Sequence, residues 1–261
     1  MSTVWKRLFR AAVVVCVAAC AAPAVSTPGA AASSGWAVPV LMYHRVDPEL
    51  VAHDPITVGL TVMTPAFEEQ LRLLRDRGFH SITLDDLWTG ITERAPQSGR
   101  EIVLTFDDGY ADNYTVAFPL LRRYGFTATF FVVTSTVGTR DHLTVAQIKE
   151  MAAAGMAFGS HGQHHVDFST LSPGVAQSEL ENSKRLIGEW SGRPVTFFAY
   201  PAGRFSSGVV RTLAGLGYRG AVTEIPGFVT AASRPYTLER VRVAHGDTLV
   251  QFARKLRLTA P

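Results

Sequence analysis

The chain has 261 residues, 47% hydrophobic and 18% charged, which suits one sizeable α/β barrel and excludes wholesale disorder. Of the 25 basic residues, Lys6, Arg7 and Arg10 fall in the first nineteen; the rest of the chain balances 22 basic against 22 acidic side chains, so charge gives no support for nucleic acid as a partner. The two cysteines are Cys16 and Cys20, so the folded body has no disulfide framework and relies on its core.

In chain order, the basic residues precede a short apolar run, Ala11 to Ala19, and then a tract of small residues from Cys20 to Ala32. This pattern predicts a secretory signal peptide over 1–19, too short to span a bilayer comfortably. Val17-Ala18-Ala19-Cys20 resembles a lipoprotein cleavage box, which would make Cys20 a lipid-bearing first residue. Ala22-Pro23-Ala24 or Ala30-Ala31-Ala32 offers ordinary cleavage instead. Residues 20–37 read as a flexible tether and 38–261 as one folded domain, expected to be a monomer. It would be secreted, or held on the outer face of the cell membrane through Cys20 alone.

From Val38 onward, helical stretches end in glycine and an apolar strand follows, as at Gly78, Gly125, Gly155 and Gly217; glycine supplies the left-handed cap without a Cβ clash. Phe67, Leu71 and Leu74 keep helical spacing, as do Ala176, Leu180, Ser183, Ile187 and Trp190. Thr64-Pro65 and Ser172-Pro173 mark helix starts. The predicted strands are Val38–Tyr43, His80–Leu84, Glu101–Phe106, Thr127–Val133, Met156–Gly159, Thr196–Ala199, Gly220–Thr223 and Arg240–Ala244. Alternating strand and helix implies parallel strands, and seven or eight of them suit a distorted (β/α) barrel. Trp88, Trp190 and Tyr236 are expected to pack rather than to stack sugars.

Chemistry in such barrels sits at the C-terminal strand ends. There the sequence places His44, then Asp107 and Asp108, then His161, His164 and His165, then Tyr200-Pro201-Ala202-Gly203, then His245. Adjacent carboxylates ending an apolar strand repel unless a cation or a raised pKa relieves them, although Asp-Gly is also a common turn pair. His161 and His165, on a helical or turn segment, would put two imidazoles on one side, with His164 complicating the spacing. With Asp108 they make a two-His, one-carboxylate set that leaves room for water and substrate. Zinc is the expected cation for it, with cobalt or nickel as alternatives, and Asp107 is then the base.

At these residues the sequence resembles the polysaccharide deacetylase family, also called the NodB-homology or carbohydrate esterase 4 family. Thr105-Phe106-Asp107-Asp108-Gly109 matches its first motif and Ser160-His161-Gly162-Gln163-His164-His165 its second. Phe198-Ala199-Tyr200-Pro201-Ala202-Gly203 is similar to its third, and Pro39 to His44 to the opening strand of exported members. The resemblance implies a barrel of about seven strands, Asp107 as general base, and Asp108, His161 and His165 as metal ligands. It implies the Ala202 N–H, after Pro201, as an oxyanion donor, with Tyr200 and His44 beside the substrate. The implied reaction is hydrolysis of N-acetyl groups on an extracellular amino-sugar polysaccharide by cation-activated water. The Phe-Ala-Tyr-Pro form is nearest to deacetylases of poly-β-1,6-N-acetylglucosamine; chitin- or peptidoglycan-like chains are alternatives, as are a glycan O-acetyl ester or a non-catalytic glycan-binding role. Two departures stand out. Ala199 occupies the position where many members carry an arginine that pairs with the base, and no fourth motif is recognisable. His245, after the last strand, is the candidate acid, with a loop histidine as its alternative; His44 is an active-site wall or a structural hydrogen-bonder.

Overall fold

A computed structural model describes residues 35–49, 54–93 and 98–259. The signal segment, Cys20 and most of the tether lie outside the described residues, among which no helix is long and apolar enough to cross a membrane. The elements in order are β1 (Ala37–Val38), β2 (Val40–Tyr43), β3 (Arg45–Asp47), α1 (Pro55–Leu60), β4 (Thr61–Met63), α2 (Thr64–Asp76), β5 (His80–Ser81), α3 (Leu84–Thr92) and β6 (Glu101–Phe106). A π-helical turn, Asn113–Ala117, leads into α4 (Phe118–Tyr124), followed by β7 (Thr129–Val132), α5 (Val145–Ala153), β8 (Ala157–Ser160), α6 (Pro173–Ser191) and β9 (Phe197–Ala199). After them come α7 (Ser207–Gly215), β10 (Gly220–Pro226), β11 (Val229–Thr230), β12 (Leu238–Arg242) and α8 (Leu249–Lys255).

Seven parallel strands close into a barrel in the order β2-β12-β10-β9-β8-β7-β6, the ring completed by pairing of β2 with β6, while β5 pairs with the first two residues of β6. Strand side chains alternate between faces, and two apolar clusters follow from that alternation. Leu41, Leu104, Phe106, Phe130 and Phe198 face outward into the helices, meeting Phe67, Leu71 and Leu180. Val40, Val103, Phe131, Phe197, Val222 and Leu238 face inward. Helix α3 joins this inner cluster through Leu84, Leu87 and Ile91, and the antiparallel β1–β11 pair joins it through Val38 and Val229. Asp85 of α3 bonds Thr196 and Arg219, each just before a barrel strand begins, so α3 lies across the N-terminal end of the barrel. The inner column of β6 then changes character upward, from Val103 to Thr105 to Asp107. A packed apolar floor thus carries a polar layer at the opposite mouth.

Several expected boundaries move. Pro39, which has no N–H for a ladder, separates β1 from β2. The strand expected over His80–Leu84 is two residues long, because Thr83 and Asp86 form a reciprocal cap that starts α3 at Leu84. The strand expected over Arg240–Ala244 is β12, Leu238–Arg242, so Arg240 lies inside it and His245 on the loop beyond. The glycines after α2, α4, α5 and α7 do adopt the left-handed conformation, with Gly78 at φ 74° and Gly125 at φ 77°.

Candidate active site at the barrel mouth

Asp107 follows β6 on the inward parity and is buried. Its two oxygens are held by the two terminal nitrogens of Arg240, at 2.8 and 2.7 Å, a forked charge-assisted pair. Arg240 sits on the inward face of β12, is itself buried, and donates through Nε to the Thr223 carbonyl at 2.8 Å and through Nη1 to Thr105 Oγ1 at 3.1 Å. Burial pushes the Asp107 carboxyl up; the Arg240 charge and its hydrogen bonds outweigh this and hold it below the ordinary carboxylate value. Sequence reading missed Arg240. The signal was an arginine two residues after Leu238, at a parity that the neighbouring strands fill with apolar side chains.

Asp108 turns the chain at φ 72°, a left-handed conformation uncommon for aspartate. The turn sends its carboxylate away from Arg240 and toward the histidines. One oxygen, Oδ1, lies 3.4 Å from His161 Nε2 and 3.4 Å from His165 Nε2. Both gaps are long for hydrogen bonds. Donors bound at about 2.1 Å around a tetrahedral cation stand about 3.4 Å apart, so the spacing fits a small divalent metal. His161 Nδ1 donates to the Ala199 carbonyl at 2.7 Å, which leaves the Nε2 lone pair facing Asp108. The donor set of two imidazoles and one carboxylate fits zinc, cobalt or nickel. Burial would raise the Asp108 carboxyl, but the His161, His44 and His165 imidazoles hold it far below its usual range. Burial and the neighbouring His161 together lower His165 from the ordinary histidine value.

His161 and His165 share no helix. His161 leaves β8 directly, and left-handed Gly162 (φ 83°) and His165 (φ 53°) fold the loop back so that the two rings stand 4.9 Å apart. His164 points elsewhere: its Nδ1 meets Glu179 Oε1 at 2.6 Å. Glu179 Oε2 also accepts the N–H groups of Gln163, at 2.8 Å, and His164, at 3.0 Å. Glu179 therefore fixes, from α6, the loop that carries His161 and His165. It stands on that helix's buried stripe between Ala176 and Leu180, where a carboxylate is out of place unless it has partners.

His44 is buried just past β2, and among the described residues its ring makes no hydrogen bond. Burial lowers its pKa, and Asp107 and Asp108 act in the opposite sense, so the ring lies within the field of both carboxylates. Its backbone is held by Asn113 Nδ2, which donates to the His44 carbonyl at 2.8 Å, while Asp112 accepts the Val46 N–H at 3.1 Å and Arg45 Nε at 2.8 Å. His245, by contrast, is exposed, and its Nδ1 meets the Thr61 carbonyl at 3.0 Å.

On the third side, Pro201–Gly203 form a tight turn with Ala202 left-handed at φ 51°. Gly203 and Arg204 donate the turn's own hydrogen bonds; the Ala202 N–H comes too early in the turn to find a partner within it. Tyr200 is buried, stacks on Phe205 at 4.8 Å and donates its hydroxyl to the Tyr236 carbonyl at 3.1 Å, so it props the turn from beneath and does not face a ligand. Trp88, Trp190 and Tyr236 pack against the two apolar clusters.

A polysaccharide deacetylase family model matches residues 94–221. The Bacillus subtilis (strain 168) protein YxkH, a polysaccharide deacetylase by name, is 34% identical over 80% of this chain and 72% of its own length. The peptidoglycan-N-acetylmuramic acid deacetylase PdaA of the same organism is 29% identical over 66% of this chain, which spans 62% of that protein. Among solved structures, the Streptococcus pyogenes deacetylase PplD in complex with acetate superposes with a TM-score of 0.79 at 28% identity, covering 85% of this chain and 99% of that one. With the motifs in order at the mouth of a seven-stranded barrel, the chain belongs to the polysaccharide deacetylase family and is a deacetylase hydrolase.

Proposed function

We propose that the protein removes N-acetyl groups from an amino-sugar polysaccharide outside the cytoplasm, using a divalent metal held by Asp108, His161 and His165. The observation that carries this reading is the division of labour between adjacent carboxylates: Asp108 faces two imidazoles, and Asp107 is locked by Arg240 in its ionised form. When bound, the cation would polarise the acetyl carbonyl and make a water more acidic. Asp107, ionised at neutral pH, takes the proton from the attacking water. The Ala202 N–H donates to the oxyanion that forms. His44 relays to the departing amine nitrogen the proton that Asp107 has taken from the water, a role that its buried position level with Asp107, past the Tyr43–Phe106 pair, supports better than the exposed position of His245. Acetate leaves, and a free amine remains on the sugar. Export rests on the signal-like segment over 1–19, with Cys20 as the site of any lipid.

The reading is tested by acetate release from β-1,6- and β-1,4-linked N-acetylglucosamine oligomers, with zinc and with a chelator. Release should depend on metal. Asp108→Asn should lose bound metal and turnover together, and Asp107→Asn should keep the metal and lose turnover. Full activity in both variants, or release indifferent to the chelator, would discard the assignment. Preference for the β-1,6 oligomer is the outcome that the Phe198–Pro201 form leads one to expect.

A further inference from the structure

Beside the catalytic mouth, between the ends of β10 and β12 and helix α8, lies a hollow of about 490 Å³. That is within the size range of small-molecule sites and large enough for a substituted sugar. Arg240, Arg242, Arg254, Lys255 and Arg257 line it, and Glu224 is the one carboxylate in its wall. Arg240 is buried against Asp107, which leaves four cations reaching the hollow; on a chain with no net charge beyond residue 19 they are a local concentration.

The hollow adjoins the active site through two residues. Arg242 follows Leu238 and Arg240 on the inward parity of β12, and its Nη1 donates to Glu224 Oε2 of β10 at 3.1 Å on the rim. Glu224 also packs directly against Gly203 of the oxyanion turn. The charge of Arg242 is felt at His44. Further out, Lys255 is tied to Asp247, whereas Arg254 and Arg257 have no carboxylate partner among the described residues. Cations in the last turn of α8 are favourable for the helix itself, which accounts for Arg254 and Lys255 being there. It does not account for Arg257, past the helix end, whose guanidinium is fixed 4.5 Å over the Phe228 ring, nor for Arg242 facing the same hollow from the barrel.

We propose that this hollow is a subsite for an anionic substituent, a carboxylate or a phosphate, on a sugar flanking the one that is deacetylated. The substrate is then an amino-sugar polymer of the linkage expected above that also carries acidic substituents, and the neutral oligomer is its unsubstituted stand-in. The proposal deepens the deacetylase reading and rests on it for the identity of the polymer.

The experiment compares wild type with Arg254→Glu/Arg257→Glu on three oligosaccharides of equal length: a neutral N-acetylglucosamine oligomer, one with carboxylates on alternate sugars, and one with phosphate esters there. Equilibrium binding by calorimetry and acetate release are both read, at low and high salt. Reversing two rim charges should weaken binding of a charged oligomer and raise its KM roughly tenfold, with kcat little changed. The neutral oligomer should change less than twofold, and added salt should shrink the difference. The oligomer with the larger loss tells carboxylate from phosphate. Equal effects on charged and neutral oligomers, no effect on any, or retention on anionic lipid vesicles in place of the oligomers would overturn the proposal. Charge-dependent binding without acetate release would keep the subsite and sink the deacetylase reading of the polymer.

Discussion

Arg240→Met removes the guanidinium and keeps most of the side chain's bulk. It leaves Asp107, 2% exposed, without its cation. Breaking a buried pair by deleting one partner costs about 3–5 kcal/mol, and the Thr223 carbonyl, now unpaired, adds about 1 kcal/mol. For a domain of this size that is a fall in Tm of roughly 10 °C. The pH dependence gives the sharper test. In the wild type the folded-state pKa of Asp107 is lowered, so its stabilisation is fully present above the unfolded value of about 3.9 and is lost as pH falls through the folded value. In the variant, burial acts unopposed and raises it. The stability deficit should therefore be largest near neutrality and shrink as pH approaches 4, because a protonated Asp107 needs no cation. The acid limb of kcat/KM should move to higher pH, since the base is now partly protonated where the wild type is fully ionised. Arg240→Lys, which keeps one charge but not the fork, should fall between the two. Thermal melts and rate profiles across pH 4–8, with Asp107→Asn/Arg240→Met closing a double-mutant cycle, measure all of this. An acid limb that stays put, together with single effects that add within about 0.5 kcal/mol, would reduce Arg240 to a space-filler and refute the reasoning.

Two further outcomes are expected. His44→Gln should lower kcat about a hundredfold while zinc binding stays near wild type, and His245→Ala should change kcat less than about threefold, as befits a loop side chain; the opposite order in a steady-state assay would return the acid role to His245. Gly159→Ala would place a Cβ 2.4 Å from the Phe131 ring and 3.1 Å from the Phe197 carbonyl, so it should lose about 1–3 kcal/mol from overpacking, and an unchanged Tm would mean that the inner barrel layer is looser than the geometry implies.

Much of the fold was legible because it is written in local periodicity. Gly78, Gly125, Gly155 and Gly217 each close a helix, apolar runs follow them, and parallel strands joined by helices leave few closed arrangements. The candidate metal site was legible for the same reason. Asp107-Asp108 and His161 to His165 are short-range motifs at strand ends, where a parallel barrel gathers its chemistry.

Other features lay outside local reach. His161 and His165 looked like one face of a helical turn, but Gly162 and His165 bring them together through left-handed backbone, and Glu179, fourteen residues beyond His165, takes His164 out of the site. His44 and His245 were equivalent as strand-end imidazoles. Only closure of the ring pairs β2 with β6, setting buried His44 level with Asp107, and leaves His245 on the Thr61 carbonyl. Arg240 is the extreme case, 133 residues from Asp107. Strand β2 lies between β6 and β12 in the ring, so the pair forms by an arginine reaching across the barrel interior. The sequence alone determined which residues could bind a metal and move a proton. The tertiary structure decided which cation keeps Asp107 ionised, because that depends on which side chains share the buried inner face of a closed sheet, and no local spacing records it.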